Sequence, residues 1–78
     1  MTDAEAIALY RRAFPSDRET RDACEWNEIA DEMRRVVEAP DIVAAARVIE
    51  WWGLDLGGEG ETRKAVVRVR RMAARRKA

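Results

Sequence analysis

DRETRDACEWNEIADEMRRVVE, residues 17–38, is the stretch that decides the fold. Trp26, Ile29, Ala30, Met33 and Val37 recur in it at three- and four-residue intervals. At about 100° per residue they share one face of a helix. Glu25, Glu28 and Glu32 turn away from that face as an acidic stripe, and Cys24 falls nearly opposite it and is expected to be exposed. Ser16-Asp17-Arg18-Glu19, directly after Pro15, has the form of a capping box, in which a hydroxyl and a carboxylate each satisfy an orphan N–H. The spacing therefore predicts a helix over 17–38.

Upstream, Thr2-Asp3-Ala4-Glu5 is another capping box, followed by Ile7, Tyr10 and Phe14 at helical spacing. Pro15 disfavours helical backbone at Phe14, which predicts a first helix over 3–13. Downstream, Pro40 suits the first turn of a helix and Asp41 suits the positive end of its dipole. A third helix is expected over 40–52, apolar on nearly every side, with Ala44, Ala45 and Ala46 allowing close approach and Gly53 as its stop. Residues 53–60 are rich in glycine, and a fourth helix over 61–76 carries the arginines. Val66-Val67-Arg68-Val69 is the one run with strand-like, β-branched content. The expected architecture is all-α: one domain of about four helices, with an acidic body 1–52, a Gly-rich loop 53–60 and a basic helix 61–78.

A chain of 78 residues buries only about 60% of the surface it exposes when unfolded, so its core is marginal. Cys24 is the only cysteine and there is no histidine, so neither an internal disulfide nor a structural zinc site can reinforce it. Tight helix packing and self-association are the routes left, and a homodimer is expected. The lone cysteine fits a reducing compartment, and no apolar signal-type segment opens the chain. The most apolar stretch, 42–54, is interrupted by Arg47 and Glu50 and is short of the ~20 residues of a membrane span. These features predict a cytoplasmic protein, in a host cytosol if a phage carries it, with no membrane contact.

The net charge of zero hides a sharp segregation. Residues 1–61 hold all fifteen acids against seven arginines, a net of −8, whereas 62–78 hold eight Lys or Arg and no acid, a net of +8. Such asymmetry reads as an acidic body with a basic arm. On a helical wheel Lys64, Arg68, Arg71 and Arg75 form one basic face, Arg63, Arg70 and Lys77 a second flank, and Val66, Val69, Met72 and Ala73 point elsewhere. Guanidinium groups one turn apart can follow a phosphate backbone or an acidic protein partner. The plainer reading is that the valine face packs on the core while the arginines pair with the acidic stripe or remain solvated. A helix-turn-helix is disfavoured, because its turn is 3–4 residues and adenine-reading Asn and Gln are missing from the last helix.

Catalytic templates fail. No histidine is available as a base near neutral pH, and Ser16, the only serine, is better used as a cap. Gly57-Gly58-Glu59-Gly60 lacks the Lys-Ser/Thr ending of a phosphate loop, and Glu59 and Glu61 would repel a phosphate. The chain is read as a non-enzyme with no cofactor and no metal. Glu25, Glu28 and Glu32 are the candidate contacts for a basic partner, by charge complementarity. Adjacent on one helix, Trp51 and Trp52 diverge by about 100°, so one is expected in the core beside Trp26 and the other either over the Gly-rich loop or at an oligomer or partner interface. The function expected is that of a small helical interaction protein docking on a larger protein or nucleoprotein complex. In its most specific form it is a phage or mobile-element inhibitor of the anti-CRISPR kind. The alternative is a DNA-binding regulator or architectural protein that uses the last helix.

Overall fold

A computed structural model describes residues 1–51 and 59–77, with side chains over 1–50 and 60–75. It contains α1 (Asp3–Ala13), α2 (Ala23–Glu38), α3 (Ile42–Trp51) and α4 (Glu59–Lys77), and no strand among the described residues. The valine run 66–69 is helical: Val66 and Val69, three residues apart, share the buried face, while Arg68 is exposed. The Cα radius of gyration is 11.7 Å, against about 11.5 Å expected for a compact chain of this length.

The capping box of α1 forms as read. Glu5 N–H donates to Thr2 Oγ1 at 3.1 Å, and Thr2 N–H donates to Glu5 Oε1 at 2.9 Å. Thr2→Ala should lower stability by about 1 kcal/mol, seen as a shifted urea midpoint with an unchanged slope. One face of α1 buries Ala6, Leu9, Tyr10 and Ala13.

α2 begins six residues later than the sequence reading placed it. Asp22, not Ser16, is its N-cap, with its carboxylate accepting from Glu25 N–H at 2.8 Å. The reason lies in Asp17, which is committed elsewhere. The Tyr10 hydroxyl donates to Asp17 Oδ2, and Arg21 grips both oxygens at 3.1 and 2.9 Å. Asp17 Oδ1 also accepts from Glu19 N–H at 3.1 Å, a local turn that competes with helix. Within α2, Ala30 and Met33 are buried as expected, together with Val36, while Trp26, Ile29 and Val37 are only partly covered.

Pro40 likewise precedes α3 rather than opening it. Asp41 is the group that caps, accepting from Ala44 N–H at 2.8 Å, so the helix starts at Ile42. Ala45, Ala46 and Ile49 are buried, whereas Ile42 and Val43 remain exposed.

α1 and α2 are antiparallel: Asp3 pairs with Arg34, and Tyr10 meets Trp26 edge-on with ring centroids 6.1 Å apart. α4 touches all three other helices, burying Thr62, Ala65, Val66, Val69 and Ala73, and α1 and α3 do not meet among the described residues. Two arginines of α4 lock the arrangement. Arg68 Nη2 donates to the Ala13 carbonyl at 2.9 Å, and Arg70 Nη1 donates to the carbonyls of Val36 at 3.1 Å and Ala39 at 2.8 Å. These carbonyls belong to the C-terminal ends of α1 and α2, where the helix dipole favours a cation. Residues 68 and 70 are separated by only about 3 Å of rise, yet they reach opposite ends of an antiparallel pair. α4 therefore lies across α1 and α2 rather than alongside them.

Candidate anion-binding face of α4

With its apolar stripe against the core, α4 presents Lys64, Arg68, Arg71 and Arg75 outward, all exposed. Their rises along the axis are about 6.0, 4.5 and 6.0 Å. They bound a shallow, open depression of about 470 Å³ together with Arg63, Val67 and Met72. The opening suits an extended ligand lying along the helix rather than an enclosed small molecule.

The four basic side chains have different commitments. Lys64 pairs with Glu61 one turn away at 3.2 Å, with both groups largely exposed. Such a pair contributes little and yields readily to a stronger anion. Arg68 donates to the Ala13 carbonyl, and its guanidinium lies 5.7 Å from the Phe14 ring centroid. Arg71 and Arg75 engage no partner among the described residues. Of the second flank, Arg70 is consumed by α2's carbonyls. Arg63 is exposed at the edge of the depression, and the side chain of Lys77 lies outside those described.

The acidic stripe on α2 is weaker than its sequence implies. Glu25 and Glu28 are exposed as read. Glu32, however, is half-buried and pairs with Arg35 at 3.2 Å, and Asp31 pairs with Arg34, so the C-terminal half of the stripe is neutralised within α2. The three-residue spacing within each pair could have signalled this. None of the acids on α2 pairs with the basic face of α4 among the described residues. Trp52 and the glycine-rich positions 53–58 lie outside the described residues, as does the side chain of Trp51, and so does the interface expected of the two tryptophans. Cys24 is exposed.

A second constellation sits at the α1–α2 corner. Trp26 is flanked by the guanidinium groups of Arg11 and Arg21, at 4.7 and 5.4 Å from its ring centroid, and Arg21 also holds Asp17 beside Tyr10. The Arg21 and Tyr10 hydrogen bonds hold the Asp17 carboxyl at about 2, below its usual 3.8. Burial, reinforced by the bond to Asp17, raises the Tyr10 hydroxyl above its ordinary 10.0. Both shifts favour the bonded forms, a charged Asp17 and a protonated Tyr10, so the cluster is a brace for residues 14–22. The Asp17 contribution is complete above about pH 4 and is lost as pH falls towards 2; that of Tyr10 declines as pH rises above 10. Asp17→Asn should cost on the order of 1–2 kcal/mol at pH 7, and the urea midpoints of wild type and variant should converge as pH falls towards 2.

Among the described residues, no three His, Cys, Asp or Glu side chains are placed to hold a metal, and no helix is long and apolar enough to cross a membrane. No known family model, curated protein or solved structure matches this chain.

Proposed function

We propose that the chain is a non-enzymatic docking protein that attaches to a larger protein or nucleoprotein assembly through separate charged faces, the α4 face making the anion contacts. One observation carries the reading: among the described residues, no acid of the body pairs with the basic face of α4. Arg71 and Arg75 are exposed without partners among the described residues, and Lys64 is held only by an exposed neighbour on its own helix. The exposed Glu25 and Glu28 on α2 supply the second, smaller face, suited to a basic surface of the same assembly. In its most specific form this is a phage or mobile-element inhibitor of a nucleic-acid-guided defence complex.

The regulator reading gains no such support. Seven positions separate α3 from α4, more than a helix-turn-helix turn holds, and Arg68 is tied to a backbone carbonyl rather than free to read a base edge.

Retention on heparin-agarose under a salt gradient tests the docking face, using a polyanion that is neither protein nor nucleic acid. The wild-type chain, with no net charge, should be retained through α4 and elute as salt screens the contact. Arg71→Glu with Arg75→Glu should flow through at low salt, while Glu25→Lys with Glu28→Lys should be retained at least as well as wild type. Co-elution of the arginine double variant with wild type would remove the reading.

A further inference from the structure

The sequence assigns Arg12 to the acidic body, but the fold fastens its end of α1 to α4. On α1, Asp3, Ile7 and Arg11 line one flank, and that flank faces α2: Asp3 bonds Arg34, Arg11 lies 4.7 Å from the Trp26 centroid, and Ile7 borders a groove with Ala23 and Trp26. At about 100° per residue, Arg12 is turned between 100° and 180° from those three residues. The α2 side is thereby closed to it. Its neighbour Ala13 gives its carbonyl to Arg68 of α4 at 2.9 Å, and the Arg68 guanidinium also covers Phe14 at 5.7 Å, so this end of α1 is fastened to the α4 face. Arg12 is itself exposed and has no partner among the described residues.

Resting on the docking reading above, we infer that Arg12 joins Lys64, Arg71 and Arg75 in one anion site spanning two helices, which takes the phosphate backbone of a nucleic acid without reading its bases. Arg68 acts as a positioning residue, since its bond to Ala13 holds the end of α1 that carries Arg12 against α4. Three features select a phosphate backbone as the occupant. The contacting cations of α4 rise by about 10.5 Å from Lys64 to Arg71 and about 6 Å from Arg71 to Arg75, and a nucleic-acid strand supplies a phosphate every ~3.4 Å, so each cation finds an anion without a matched partner sequence. A cation on α1, the helix that α4 crosses, widens the contact beyond a single line of charges. Asn and Gln, which read adenine, are missing from this face, and Arg68 at its centre is tied to a carbonyl, so its remaining cations are assigned to phosphates rather than to base edges. The exposed Glu25 and Glu28 on α2 repel phosphate and leave one docking orientation.

Binding of a labelled 20-base-pair DNA duplex and a labelled 20-nucleotide RNA, followed by fluorescence anisotropy across a salt series, tests the inference. Four phosphate contacts predict a log–log salt slope of about −3.6 for the duplex and about −2.8 for the single strand. Arg12→Gln should weaken binding to every sequence alike and make the duplex slope less negative by about 0.9, while Arg12→Lys should retain it. Arg47→Gln, which removes an exposed cation from α3, should leave the slope unchanged. Circular dichroism shows that each variant compared is folded. If Arg12→Gln binds like Arg47→Gln, the two-helix site is overturned. No binding to either nucleic acid at the lowest salt, with arginine-dependent heparin retention intact, would also overturn it and assign the α4 face to an acidic protein. Loss of that retention is a separate failure, of the docking reading itself.

Discussion

Leu9→Ala is expected to bring the protein to the edge of unfolding. Leu9 is fully buried in the cluster that joins α1 to α2 and α4, and it is among the largest side chains with no exposed surface. Truncating a buried leucine costs about 2–5 kcal/mol, through lost transfer energy and the cavity left behind. A chain of 78 residues has a total stability of about 4–12 kcal/mol by the usual per-residue range. The loss is thus a large part of the whole, and alanine neighbours such as Ala6, Ala13 and Ala30 have no long side chains to swing into the gap. Urea unfolding followed by circular dichroism checks it: the midpoint should fall by at least about a sixth, and a loss below 1 kcal/mol would contradict the packing described.

The second large effect divides the arginines of α4 by role. Arg68→Gln with Arg70→Gln should cost about 2–4 kcal/mol, since three charged hydrogen bonds to helix-end carbonyls disappear together. The Arg68–Phe14 stacking goes with them. Arg71→Gln with Arg75→Gln removes the same charge from the same helix and should change stability by less than about 0.5 kcal/mol, because neither side chain holds anything within the described fold. Equal melting losses in the two pairs would show that the division is wrong. Composition treats these four residues as one basic block; the fold makes two of them struts and leaves two for a partner.

Local signals were legible where their partners are local. Thr2 and Glu5 satisfy each other within one turn, and the bounds of α1 follow directly from that pair and Pro15. The start of α2 was misread because Ser16-x-x-Glu19 and Asp22-x-x-Glu25 both resemble N-terminal signals. The choice between them is made by Tyr10 and Arg21, which draw Asp17 out of a helix start. The neutralised half of the acidic stripe was within reach of the sequence, since Asp31–Arg34 and Glu32–Arg35 are both three apart. No helical wheel shows Arg68 and Arg70 reaching carbonyls at opposite ends of another helix pair, because that depends on how α4 crosses it. Arg12 was hidden in the same way. Summed into the acidic body it is one cation among many acids, and only the Arg68–Ala13 bond brings its end of α1 to the basic face.

The central claim is that α4 holds the fold with one set of arginines and docks an anionic partner with another. Heparin elution of the folded Arg71→Gln, Arg75→Gln chain beside folded Arg68→Gln, Arg70→Gln, at a temperature where both are native, tests it most directly. The account predicts early elution for the first pair despite a wild-type melting temperature, and later elution for the second despite a lowered one. Retention that falls equally in both pairs would contradict it, because the binding would then follow total charge rather than the face that α4 turns outward.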